Sequence, residues 1–214
     1  MTPWESGLRR LLSALSHPKG PSPNLFNPYR DEDPDLDRPG GAAIRRANLR
    51  AYLRCFRPAR YLLVGEAAGY NGCRFSGLPF TGEDLIVGDR ALPWTRDLPF
   101  ARSSSGERLS SERSAAIVWE GIAQRRDLLL WNTVPWHPHQ PHKPLSNRRP
   151  GRREVEQGLA LLKVCLQLFP KATPVAVGRV AEGALRQLGY EAIYVRHPSM
   201  GGKRAFLSGV AELK

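Results

Sequence analysis

The stretch Tyr61-Leu62-Leu63-Val64-Gly65-Glu66-Ala67-Ala68-Gly69-Tyr70-Asn71-Gly72-Cys73-Arg74-Phe75-Ser76-Gly77-Leu78-Pro79-Phe80-Thr81-Gly82 decides how this chain is read. Its first four residues form a short apolar run that stops at a glycine, the pattern of a strand buried on both faces of a parallel sheet. The pattern returns three times. Asp127-Leu128-Leu129-Leu130-Trp131 stops at Asn132, Pro174-Val175-Ala176-Val177 at Gly178, and Ala192-Ile193-Tyr194-Val195 at Arg196-His197. Helical periodicity fills the intervals, over 111–124, 153–169 and 180–188, and a further helix over 42–56 precedes the first strand. Strands alternating with helices predict an α/β fold, a three-layer α/β/α sandwich around a central four-stranded parallel sheet.

In such a sheet the functional groups gather beyond the carboxyl ends of the strands. Four segments therefore carry the candidate chemistry: 65–82, 132–150, 178–179 and 197–206. The first holds five glycines, which permit close approach of backbone to a ligand, yet it has neither a Walker lysine nor GxGxxG spacing. Tight turns are the plainer explanation of its glycine content.

The sequence before residue 42 divides differently. Thr2-Pro3-Trp4-Glu5 reads as a helix start, with Thr2 as N-cap, Pro3 at the first position and Glu5 closing a capping box. Trp4, Leu8, Leu11, Leu12 and Leu15 make its apolar stripe. Residues 17–41 read as an irregular connection, and its acidic run (Asp31, Glu32, Asp33, Asp35, Asp37) lacks the offsets of a calcium loop. The expected division is residues 1–41 packed on a domain of 42–214. Residues 82–111 are expected to form a long, partly mobile loop.

The 214 residues carry 32 Lys and Arg against 20 Asp and Glu, a formal charge of +12. That excess favours a polyanionic partner, although the preference for arginine, 26 of the 32, also fits a compositional bias. Three cysteines in no CxxC pairing argue against a disulfide framework or a four-thiolate metal site. No apolar run reaches the about 18 residues needed to cross a bilayer, and the first 17 residues lack a signal-peptide h-region. A soluble cytoplasmic protein, with no membrane association, is the expectation. The run Trp136-His137-Pro138-His139-Gln140-Pro141-His142 lacks metal-ligand spacing and is read as strand contact or loop packing.

Three of the four segments match, in order, the motifs of one family. Gly77-Leu78-Pro79-Phe80-Thr81 after a strand and glycine-rich loop, an apolar strand ending in Asn132, and a strand ending in His197-Pro198-Ser199 resemble the uracil-DNA glycosylase superfamily. The resemblance spans roughly residues 60–210. It implies a monofunctional DNA glycosylase that flips uracil out of DNA and hydrolyses its N-glycosidic bond, initiating base excision repair. In that reading Phe80 stacks the base, where a core phenylalanine is the alternative. Asn132 reads the pyrimidine edge, where an Asx turn is the alternative. His197 stabilises the anionic leaving base, where a structural histidine is the alternative. Gly65 and Ala67 lie against the base, and Glu66 or Asn71 positions water. Met200 is the wedge that fills the vacated stack, and Ser199, Lys203, Arg204, Gly178, Arg148 and Arg149 meet the DNA backbone.

The first motif departs from the Gly-Gln-Asp-Pro-Tyr-His form of the best-known branch, placing Ala67 and Gly69 where that form has Asp and Tyr. It is closer to the Gly-Glu-Ala-Pro-Gly form of the thermostable branch, with Ala68 in place of proline. That branch carries an iron–sulfur cluster, which three scattered cysteines cannot reproduce, so no cofactor is expected. Two alternatives stay open: a non-catalytic module binding uracil-containing or single-stranded DNA, and a glycosylase for hypoxanthine or xanthine. A monomer is expected, since following a DNA groove needs no second subunit.

Overall fold

The computed structural model describes residues 2–17 and 23–214. Part of the 17–41 connection lies outside the described residues. In chain order the elements are α1 (Pro3–Leu15), β1 (Leu25–Phe26), α2 (Gly41–Cys55), β2 (Tyr61–Ala67), α3 (Cys73–Ser76), α4 (Arg113–Ile122), β3 (Leu128–Val134), β4 (His137–Pro138), α5 (Arg152–Leu168), β5 (Thr173–Val177), α6 (Arg179–Gln187), β6 (Ile193–Val195) and α7 (Lys203–Ala211). The main sheet is four-stranded and parallel, in the order β3-β2-β5-β6. Right-handed crossovers put α4 on one face and α5 and α6 on the other. The helix α7 packs on α4, and α1 packs on α5.

The apolar runs are continuous because both sheet faces are covered. Leu62, Leu63, Val64, Leu128, Leu129, Leu130, Val175 and Ala176 are all fully buried. Two of the strands are longer than periodicity suggested. The ladder between β2 and β3 continues through the pairs Gly65↔Asn132 and Ala67↔Val134, beyond the point where the apolar residues end. Backbone pairing needs no apolar side chain, and Thr133 Oγ1 donates to Gly65 O at 2.8 Å, tying the extension down. Gly65, Glu66 and Ala67 are therefore strand residues, and Asn132 sits within a strand instead of capping its end in an Asx turn.

Three further expectations are corrected by packing. The 82–111 segment is anchored: the buried Glu83 carboxylate accepts from the backbone N–H groups of Ser103 (2.7 Å) and Ser104 (2.9 Å) and from Ser104 Oγ (2.5 Å). A carboxylate so satisfied can be buried, and it pins the loop over short 3₁₀ turns at Glu83–Leu85 and Pro93–Thr95. The capping box of α1 is half formed, since Thr2 Oγ1 accepts from Glu5 N–H at 3.3 Å while Glu5 itself pairs with Arg54 at 2.9 Å. The 17–41 connection contributes β1, antiparallel to β4, and its Asp37 lies buried between Arg45 (3.1 Å) and Arg74 (2.6 Å). Among the described residues no helix is long and apolar enough to cross a membrane.

Candidate active site

The strand order reverses between β2 and β5, and the cleft lies beyond their carboxyl ends, where the switch-point rule places it. Its volume is about 480 Å³. Glu66, Ala67 and Phe80 line it from the first motif, Gly178 from the end of β5, and His197 and Ser199 from the end of β6. Segments spread over more than a hundred residues of the chain thus meet at one place.

Phe80, which borders the cleft, packs on Gly65, whose ladder partner is Asn132. The Phe80 ring lies over Gly65 so closely that a Cβ on residue 65 would stand 2.1 Å from Phe80 Cζ and 3.0 Å from Asn132 Oδ1. Phe80 adopts a left-handed backbone (φ 51°), and its carbonyl accepts from Trp119 Nε1 at 3.1 Å. A non-glycine residue held there by an outside contact is a sign of a functional constraint. Its ring is buried from the core side yet borders the cleft, 5.9 Å from the His197 ring and tilted 39° to it. The Asn132 side chain is 2 % exposed and sits beside Gly65, close to Phe80.

The protonation of His197 follows from its contacts. The backbone N–H of Ser199 points at His197 Nδ1 (3.2 Å), and Ser199 Oγ lies 2.7 Å from the same nitrogen. A backbone N–H can only donate, so Nδ1 accepts and the ring proton resides on Nε2. Burial, with Arg196 adding to it, lowers the His197 pKa, which favours this neutral tautomer at neutral pH. Glycines shape the loop around it. Gly178 has φ +92° and packs on His197 Cβ, and a Cβ on Gly202 would stand 2.0 Å from His197 O.

The DNA-binding candidates divide. Met200 is 92 % exposed with a left-handed backbone (φ 53°) at the tip of the loop after β6. Arg148 and Arg149 both border the cleft, and Arg148 is also held by Glu154 (2.6 Å), His139 O and Asn24 O. Arg148 therefore holds the loop's shape, a role its place in an arginine run did not disclose. Lys203 pairs with Glu120 at 2.8 Å on the exposed surface, and Arg204 is exposed. The N–H of Gly178 is taken by Val195 O (2.9 Å), leaving the first turn of α6 beyond it to offer amides.

Of the two water-positioning candidates, Glu66 borders the cleft and Asn71 borders the adjoining one, next to Met200. Burial raises the Glu66 pKa and the charge of Arg149 opposes the rise. His137 is fully buried, with Nδ1 3.0 Å from Ala68 O and Nε2 3.1 Å from Pro144 O, so it fastens the end of the first motif to the 137–148 loop. No group of three potential metal ligands occurs among the described residues. Sequence reasoning missed Glu112, Ser114 and Asn147, all of which border the cleft. Nothing local distinguished them. Glu112 and Ser114 were simply the start of a helix.

The family model of the Uracil DNA glycosylase superfamily matches residues 55–208, more than half of the chain. The chain belongs to that superfamily, and its class is that of hydrolases acting on DNA as glycosylases. No curated protein matches it at a significant level of similarity.

Proposed function

We propose that this protein hydrolyses the N-glycosidic bond of uracil in DNA, and that it does so on a base flipped into the cleft. The observation that carries the reading is His197, bordering the cleft beside Phe80, with Nδ1 accepting from Ser199 N–H so that Nε2 is left to donate. Breaking the bond leaves an electron pair on the base. A fixed donor near O2 stabilises that charge as it develops and costs no reorganisation. Phe80 offers a face for the base. Asn132, beside Gly65 and near Phe80, carries an amide that can donate to O4 and accept from N3–H, a pattern cytosine does not present. Glu66 and Ala67, at the end of β2, border the cleft where water must enter. Arg149, Arg204 and the first turn of α6 suit phosphates, and Met200 suits the space the flipped base leaves.

The test is base release from labelled oligonucleotides carrying one U, hypoxanthine, xanthine or T opposite G, followed by alkaline cleavage, for the wild type beside His197→Ala and Asn132→Ala. Strand scission at U that falls by about 100-fold or more in both folded variants is the expected result. Scission only at another base moves the substrate and keeps the chemistry. Tight binding without scission on any substrate overturns the reading in favour of a recognition module.

A further inference from the structure

Glu112 occupies an unusual position. It is the N-cap residue of α4, yet its side chain makes no capping bond. The carboxylate instead turns toward the segment after β2, where two glycines make room for it. A Cβ on Gly69 would stand 2.8 Å from Glu112 Oε1, and one on Gly72 only 1.9 Å from Oε2. Neither glycine has a left-handed backbone, and a side chain at either position would meet the Glu112 carboxylate. These glycines, which on sequence suggested an approach for a ligand backbone, form a seat for an acid.

The seat points the acid into open space. Glu112 borders the cleft of His197 and also the adjoining one beside Met200. Ser114 Oγ donates to Oε1 at 2.5 Å, and Oε2 has no donor among the described residues. No cation lies within ion-pair distance of it among the described residues, although the cleft is rimmed with them. Arg148 is held by Glu154, Arg179 by Glu182 and Lys203 by Glu120. The other ionisable groups facing it are Glu66 on β2, Tyr70 and Cys73 after it, Arg149, Arg113 and His197. In a chain of charge +12, an unpaired carboxylate at a DNA-facing cleft weakens polyanion binding and so calls for another role.

We propose that Glu112 is the general base of this cleft and takes the proton of the attacking water. The inference rests on the glycosylase reading above. The water oxygen bonds to C1′ as the C1′–N bond breaks. The electron pair of that bond leaves on the base, beside the Nε2–H of His197, and the water proton passes to Glu112. Burial raises the Glu112 pKa, in spite of the bond from Ser114, which makes it a better proton acceptor than a free carboxylate. Glu66, under the positive charge of Arg149, is left to order the strand end.

The experiment is single-turnover base release on a uracil oligonucleotide by full-length wild type, Glu112→Gln, Glu112→Asp and Gly69→Ala, across pH 4.5–9, with DNA affinity measured alongside. Glu112→Gln keeps the shape of the seat. It is expected to slow release by about 100-fold or more while DNA binding stays equal or tightens. The wild-type rate falls as pH drops through the raised carboxylate pKa, and the residual Glu112→Gln rate is flat across that window. Glu112→Asp recovers part of the rate. Gly69→Ala, which displaces the carboxylate, slows the wild type but costs little more in the Glu112→Gln background. A Glu112→Gln rate within about 3-fold of wild type, or a slowed rate with an unchanged pH profile, overturns the proposal. If the wild type releases no base from any substrate, the glycosylase reading itself fails and this role falls with it. Release by the wild type that Glu112→Gln matches removes the role of Glu112 alone.

Discussion

Replacing Gly65 with alanine perturbs the packing of Phe80, which borders the cleft, at its tightest point. The added methyl would stand 2.1 Å from Phe80 Cζ, 2.4 Å from Cε2 and 3.0 Å from Asn132 Oδ1, whereas ordinary contacts begin near 3.4 Å. The Phe80 ring must therefore move by more than 1 Å. Its backbone cannot retreat, because the carbonyl is held by Trp119 and the φ of 51° already leaves little freedom. Overpacking of this kind costs about 1–3 kcal/mol, which in a chain of this size lowers Tm by roughly 2–12 °C. The catalytic loss is larger. A misplacement of about 1 Å in a group that orients substrate is worth about 100-fold in rate. The assay is single-turnover base release on a uracil oligonucleotide well below the variant's melting temperature, with far-UV circular dichroism to verify the fold. A folded Gly65→Ala protein that works within about 3-fold of wild type would refute the placement of Phe80 and Asn132 against the reacting base.

Two further predictions concern groups outside the cleft. Asp37→Asn leaves the buried guanidinium groups of Arg45 and Arg74 without their shared anion, and denaturant unfolding should show a loss of about 3–5 kcal/mol with cleft activity at low temperature intact; a loss under about 1 kcal/mol means the cluster is solvated. Burial pushes the His137 pKa down to about 4 from the ordinary 6.5, so the unfolded chain binds a proton there before the folded one does. Its contribution is therefore complete above pH ~6.5 and is lost as pH falls toward ~4, by ~3 kcal/mol at most. Comparing the pH dependence of unfolding free energy for wild type and His137→Gln tests this, and parallel curves for the two would refute it.

The apolar runs at residues 61–64, 128–131, 174–177 and 192–195 were enough to specify a parallel α/β sheet, because strands covered on both faces need unbroken apolar sequence, although the edge strand β6 leaves Ile193 and Tyr194 exposed. The same runs located the functional segments, since the strand ends of such a sheet are where side chains converge. The Phe80, Asn132 and His197 positions were legible for that reason, together with their motif resemblance. Periodicity failed where polar residues continue a strand. Gly65, Glu66, Ala67 and Asn132 belong to the ladder through backbone bonds that carry no side-chain pattern.

What only the tertiary structure decided are meetings between residues far apart in the chain. Glu112 reaches Gly69 and Gly72 from some forty residues away, and Glu83 pins Ser103 and Ser104 from about twenty. Arg148, at the edge of the cleft, is held there by Glu154 and by the carbonyl of Asn24, and Asp37 is drawn from an acidic run into a buried cluster with Arg45 and Arg74. Apolar periodicity records which face of an element is buried, and it does so locally. The partner of a charged side chain is set by which elements the sheet order brings together, and local periodicity does not encode that choice.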